Sequence, residues 1–167
     1  MRSAVSIVIA AVCVVACQAP GPSRVEAPAD SVAGSLEFTL AGPNDAAILV
    51  PVRLNGSGPY AFVLDTGATL TCLDEELADS LNLPSPTGAV GFGAGIGSTG
   101  SVRLVTIDSL QVGSARAFDL LGCVLDLEQF RALGLEAHGL LGLNVLKSFR
   151  VVLDFDRRVL ILTPAGS

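Results

Sequence analysis

Tryptophan is absent from this chain, and histidine and tyrosine occur once each. Charge is sparse at 16% of residues, and the 10 basic side chains are outnumbered by 16 acidic ones. With a net charge of -6 there is no basic stripe to neutralise phosphates, which excludes nucleic acid as a partner. One histidine makes no metal site, and no other cluster of ligand residues stands out, so neither a metal nor an organic cofactor is implied. The uncharged apolar run from Ala4 to Ala16 is too short to span a bilayer comfortably. What the chain does have is hydrophobic residues (50%) and glycine (18 of 167), a core-forming composition rich in turns. That composition and length predict one all-β domain with extensions.

The amino terminus reads as a targeting segment. Arg2 supplies the positive region, an apolar run follows, and Val14-Val15-Ala16-Cys17 resembles the lipobox of bacterial lipoprotein signals. The motif needs a small residue before its cysteine. Cys17, preceded by Ala16, passes, whereas Cys13, preceded by Val12, fails. Residues 1–17 are therefore expected to be a lipoprotein signal with Cys17 as the acylated residue, and an ordinary secretory signal is the alternative. The expectation places the protein in the bacterial cell envelope, periplasmic or on the outer surface, held to the membrane by lipid rather than by a spanning helix. Residues 18–35, rich in Pro, Ala, Gly and Ser, read as a flexible tether. Cys72 and Cys123 remain in an oxidising compartment that permits a bridge. Two buried free thiols are the expectation there, with a disulfide as the alternative.

Strand signals dominate the folded part, 36–164. They run over Leu36 to Leu40, Ala47 to Leu54, Tyr60 to Asp65, Val102 to Val112, Ala117 to Leu125, Phe149 to Phe155 and Val159 to Thr163. Asn55-Gly56-Ser57-Gly58-Pro59 is a hairpin turn signal. Short helices are expected at Asp74 to Asn82, Leu127 to Leu133 and Leu143 to Ser148. Between Gly88 and Gly100 glycines alternate with apolar residues, and the core of this stretch is Gly91-Phe92-Gly93-Ala94-Gly95-Ile96-Gly97. It neither follows a clean strand nor opens a helix, and no lysine follows, so it is not a phosphate loop. A mobile hairpin that closes over a ligand fits it better than a plain surface connection, since glycine lowers the cost of opening.

Asp65-Thr66-Gly67-Ala68 sits directly behind the apolar run Tyr60-Ala61-Phe62-Val63-Leu64. A carboxylate leaving water without a partner costs several kcal/mol or neutralises, so an acid at the end of a buried strand needs a reason. It is either a satisfied turn residue or one half of a catalytic carboxylate pair, and the second reading is preferred. Phe62-Val63-Leu64-Asp65-Thr66-Gly67-Ala68-Thr69, together with the later Gly139-Leu140-Leu141-Gly142-Leu143 and the closing hairpin, resembles the retropepsin-like aspartic proteases, in their bacterial branch. The resemblance covers about 36–164 and implies an all-β acid-protease barrel with one or two short helices, forming a twofold dimer. It implies Asp65 as the catalytic carboxylate, and Thr66, Gly67 and Ala68 as the supporting loop. Leu140, Leu141 and Gly142 would thread beside that loop. Gly91 to Gly97 would be the flap that binds substrate.

Amide hydrolysis needs a base to take a proton from water and an acid to protonate the leaving nitrogen. Two carboxylates held close share one proton and supply both roles, as the known aspartic-protease dyads do. This chain offers one aspartate in that setting. Asp108 lacks a following glycine, Asp154 and Asp156 belong to a hairpin, and Asp45 and Asp119 lack the motif. The second Asp65 is thus expected from another copy across a twofold axis, with a peptide or protein as substrate. Two readings compete: a catalytically inactive peptide-binding or assembly module on the same fold, and a structural envelope lipoprotein. His138, the only histidine, reads as a surface residue, and a nucleophilic pair with Cys72 or Cys123 has nothing in the sequence to bring it together.

Overall fold

The computed structural model describes residues 21–26, 35–86, 90–95 and 98–165. The expected leader 1–17 with its Cys17, most of the expected tether, and Ile96 and Gly97 lie outside the described residues.

The architecture grows from a hairpin. Strand β4 (Ala47–Leu54) buries Val50, Val52 and Leu54 completely while Pro51 and Arg53 face out, the two-residue period of a half-buried strand. It turns into β5 (Ser57–Leu64) through Asn55-Gly56 alone, a tighter turn than the five residues expected. Both turn residues have positive φ (48° and 82°), the combination that matches the twist of the flanking strands. Asn55 also ties this turn to Ser109: its N–H donates to the Ser109 carbonyl (2.9 Å), and its side-chain oxygen accepts the Ser109 N–H (3.0 Å).

Beyond the Asp65 loop come β6 (Thr71–Asp74) and the helix α1 (Glu75–Ser80). Then follow β7 (Val90–Gly95), β8 (Ser98–Val112), β9 (Ala115–Leu125), the short helix α2 (Glu128–Ala132), and β10 (Gly139–Leu141). Helix α3 (Leu143–Leu146) precedes a closing hairpin of β11 (Phe149–Asp154) and β12 (Val159–Pro164). Hydrogen bonding runs β9-β6-β10-β5-β4-β8, and β8 pairs back onto β9, so the strands close into a barrel. Its filling is Val50, Val52, Leu54, Phe62, Leu73, Val105, Ile107, Leu110 and Leu141, joined by Leu160 and Leu162 from the closing hairpin. The all-β expectation holds, with three short helices where the sequence placed them. No helix among the described residues is long and apolar enough to cross a membrane.

Two segments depart from expectation. The run from Leu36 to Leu40 is split: β2 (Ser35–Glu37) pairs with β12 in a separate three-stranded sheet, while β3 (Thr39–Ala41) pairs with β4. Phe38 between them is buried in the core, and its N–H donates to the Arg158 carbonyl (2.9 Å). The chain crosses from one sheet to the other at that residue. Within the expected tether, Arg24–Glu26 form a strand, β1, antiparallel to β9 at Arg116–Phe118. The cause is tertiary. β6 pairs only with Gly122–Leu125, which leaves the earlier part of that edge open for another strand. Arg24 lies over the Phe118 ring at 4.3 Å, and Ser23 donates its hydroxyl to Asp119.

Candidate active site

Asp65 follows the last residue of β5, and strand β10 determines where it stands. β10 runs parallel to β5 (Leu140 beside Val63, Leu141 beside Leu64) and antiparallel to β6 (Gly139 beside Leu73, Leu140 beside Cys72). It therefore lies between the two strands that the Asp65 loop connects. The Asp65 N–H donates to the Leu141 carbonyl (3.1 Å), continuing the ladder by one residue. The turn is closed by the Ala68 N–H on the Asp65 carbonyl (3.3 Å) and by the Gly67 N–H on the Asp65 Oδ1 (2.8 Å). This leaves a half-buried carboxylate held by one backbone donor, the Gly67 N–H, with Thr66 and Gly67 exposed beside it and Ala68 buried beneath.

The close approach of β10 requires its glycines. A Cβ on Gly139 would overlap the Cys72 carbonyl oxygen and the Phe62 ring, and one on Gly142 would overlap the Leu70 carbonyl. Leu140, Leu141 and Gly142 thus pass beside the loop.

The exit of the loop is fixed by residues that the sequence did not single out. The N–H groups of Leu143 and Asn144, opening α3, donate to the carbonyls of Ala68 (2.8 Å) and Thr69 (3.1 Å). Asn144 Oδ1 accepts both the N–H (2.8 Å) and the hydroxyl (2.9 Å) of Thr71, and its Nδ2 donates to the Leu121 carbonyl (2.9 Å). Thr71 Oγ1 in turn accepts the Gly142 N–H (3.1 Å). Thr71 and Asn144 are at most 1% exposed, and every polar atom in the node has a partner. An asparagine at the start of an apolar helix, Leu143-Asn144-Val145-Leu146, is the one signal that could have pointed to it.

Cys72 and Cys123 are joined in a disulfide, which corrects the expectation of two free thiols. They are direct partners in the parallel pairing of β6 with β9, with Cα atoms 4.4 Å apart, inside the range a disulfide spans. The bridge removes both thiols from any pairing with His138. That residue is exposed and stacks obliquely on Tyr60, its ring centre 5.7 Å away. Its backbone joins β5 to β6: the His138 N–H donates to Ala61 and its carbonyl accepts from Asp74.

The glycine-rich stretch forms a ribbon. β7 pairs with the start of β8 from Val90 beside Arg103 to Gly95 beside Ser98, projecting past the part of β8 that pairs with β9. Gly91, Phe92, Gly93, Ala94 and Gly95 belong to it. The other aspartates lie apart from the loop in sequence and element. Asp108 is exposed on β8, Asp119 bonds to Ser23, and Asp154 accepts the Arg157 N–H (2.9 Å) in the closing turn. No three metal-ligating side chains gather among the described residues. A cavity of about 450 Å³ at the far end of β6 is lined by Asp74, Glu75, Glu76, Asp79, Asp126 and Arg131, and includes none of the loop. Arg131 is paired with the buried Asp74 there.

A family model described as aspartyl protease matches residues 50–145, which takes in β4, the Asp65 loop, the ribbon and β10. The chain belongs to the aspartyl protease family. A retropepsin-like aspartic protease from Rickettsia conorii shares the fold at a TM-score of 0.50 and 22% identity, covering 77% of this chain and 90% of that one. The retroviral protease-like domain of Ddi1 from Leishmania major aligns at a TM-score of 0.42 and 12% identity, over 72% of this chain and 94% of its own. No curated protein sequence matches. The fold of this aspartyl protease family member is retropepsin-like, as the sequence led us to expect.

Proposed function

We propose that this protein is an aspartic endopeptidase that works as a homodimer, with the Asp65 carboxylates of two copies meeting across a twofold axis. One ionised carboxylate takes a proton from water as the water oxygen attacks the peptide carbonyl carbon, and the protonated partner gives its proton to the carbonyl oxygen. The amide nitrogen is then protonated by the acid just formed, and the C–N bond breaks as the second carboxylate recovers a proton from the tetrahedral intermediate. The observation that carries the reading is the Asp65 loop, with its carboxylate held by the Gly67 N–H at 2.8 Å and its backbone by Leu141. Such preorganisation lets an acid react without first rearranging. Thr66, Gly67 and Ala68 support the loop, and the ribbon around Gly91 to Gly97 covers the bound peptide.

We assign the protein to the bacterial cell envelope, anchored by lipid on Cys17. Confining copies to one surface raises their effective concentration and favours the dimer. The test is Asp65→Asn in the full chain, assayed on a peptide library across an acidic-to-neutral pH series. Cleavage should vanish while sedimentation and melting stay those of the wild type. A folded wild-type dimer that cuts nothing at any pH would instead make the protein a peptide-binding or assembly module.

A further inference from the structure

The stretch 18–35 reads as a flexible tether, yet the structure catches it close to its start. The Ser23 N–H donates to the Phe118 carbonyl (3.0 Å), Arg24–Glu26 add a strand to β9, and Val25 packs on the barrel core. Gly21 is already seated against α3. A Cβ built on it would lie 3.4 Å from Lys147 Cε and 3.9 Å from the Asn144 carbonyl oxygen. Gly21 thus meets the carbonyl end of α3, whereas the Asp65 loop is held by N–H groups at the other end. Only four residue steps separate Gly21 from Cys17. A chain of that length spans at most about 14 Å in any conformation. The ribbon reaches farther. Asn144 donates to Leu121, Leu121 pairs with Thr106, and the ribbon tip at Gly95 and Ser98 lies eight residues beyond Thr106 along β8. At about 3.3 Å per residue this is roughly 26 Å along the strand, and about 20 Å once the tilt of barrel strands is allowed for.

We propose that β1 pins the barrel to the bilayer in one orientation, with α3 toward the lipid and the ribbon away from it. The enzyme therefore cuts polypeptide segments that stand off the membrane rather than those lying on it. This inference rests on the acylated Cys17 and the homodimer of the proposed function, and it names their substrate class. Two copies related by a twofold axis must each bring Gly21 within about 14 Å of the same flat surface. That sets the axis close to the membrane normal, with the bilayer on one of two sides. On the ribbon side, the ribbon would enter the lipid before Cys17 could reach it, since about 20 Å exceeds about 14 Å. The side of α3 remains. A peptide covered by the ribbon then has the Asp65 loop and α3 between itself and the lipid. A segment on a stalk, or free in solution, can enter between loop and ribbon; one flat on the bilayer is shut out. The height depends on β1. Were β1 released, the next paired strand would begin at Ser35, and the reach from Cys17 would grow to about 60 Å.

The experiment uses the full acylated chain in phosphatidylcholine vesicles. With Cys17 blocked by lipid and Cys72 bridged to Cys123, a cysteine introduced into the mature protein is its only free thiol. Lys147→Cys marks the α3 side. Glu76→Cys marks the ribbon side, because Asp79 of the same helix pairs with Arg103, where the ribbon leaves the barrel. Both positions are exposed. A donor dye on Lys147→Cys should lose most of its emission to acceptor-labelled lipid, and one on Glu76→Cys should lose little. In parallel, the sequence best cut in the peptide library is carried on the same vesicles by lipidated Gly/Ser stalks of about five or about thirty residues, whose ends stand roughly 12 and 30 Å from their anchors. The long stalk should be cut roughly tenfold faster or more, and the ratio should fall to near one in detergent, where neither partner is held to a surface. Inserting about twenty Gly/Ser residues after Gln18 should erase both differences by lengthening the reach. Equal transfer from the two dyes, cleavage indifferent to stalk length, or an insertion without effect overturns the pinned orientation while the proposed activity stands. A Cys17 that mass spectrometry finds unacylated overturns it as well. If no library peptide is cut, the proposed activity fails and the substrate class with it, whereas the dyes still decide the orientation.

Discussion

Replacing Asn144 with alanine is the sharpest test of how the Asp65 loop is held. The change deletes three hydrogen bonds at a site 1% exposed: two accepted from Thr71 and one donated to Leu121. Each buried polar group left without a partner costs roughly 1–3 kcal/mol, so even the lower figure for each loss gives about 3 kcal/mol. Set against a total stability of about 5–15 kcal/mol for a domain, that is a large fraction. With a urea slope of about 2 kcal/mol/M, the unfolding midpoint should fall by about 1.5 M. Thr71→Val keeps the side-chain shape and removes one hydroxyl. It should cost about 1–2 kcal/mol by stranding the Gly142 N–H. Because the two residues share a bond, the double variant should cost about 1 kcal/mol less than the sum of the singles. The backbone bonds from α3 to Ala68 and Thr69 survive both changes, so any loss of peptidase activity at full occupancy of the folded state reports on loop position alone. A midpoint shift equivalent to less than about 0.5 kcal/mol for Asn144→Ala, within the range of an ordinary surface change, would refute this account of the node.

Gly142→Ala should destabilise by at least about 2 kcal/mol in thermal melting, since the new methyl meets the backbone of Leu70 and Thr71, which cannot move as a side chain could. Asp65→Ala should lose the Gly67 contact and cost about 1 kcal/mol, whereas Asp65→Asn, which keeps an oxygen at that position, should melt like the wild type. Replacing both Cys72 and Cys123 with serine frees a loop of 51 residues and should lower stability by roughly 2–4 kcal/mol in denaturant titration without oxidant. Arg131→Met leaves the buried Asp74 without its cation and should cost about 2 kcal/mol, less than for a fully buried pair because the arginine is half exposed.

Much of the fold was legible because its long strands carry local signals. The alternation in β4, the Asn55-Gly56 turn, the β8–β9 pair and the closing hairpin all follow from residues near one another in the chain. The Asp-Thr-Gly-Ala turn was legible for the same reason: aspartate and glycine at that spacing make a recognisable bend behind an apolar run. β6 and β10 were harder to read as strands, being three or four residues long and buried on both faces, which erases the two-residue period. The Thr71–Asn144 bond joins residues 73 apart, and the disulfide joins residues 51 apart, so both wait on the strand order of the closed barrel. β1 was missed because its existence depends on a vacancy in another strand's edge rather than on its own composition. The break at Phe38 was missed because an alternating run gives no hint of which sheet each half will join.

The position of β10 late in the chain sets an order of events. The residues before Gly139 supply Asp65 and the Gly67 and Ala68 donors of its turn, but not the Leu141 carbonyl that accepts the Asp65 N–H or the α3 groups that hold the exit of the loop. A chain cut short before Gly139 should therefore carry the acid on a looser bend, closed by its local turn alone.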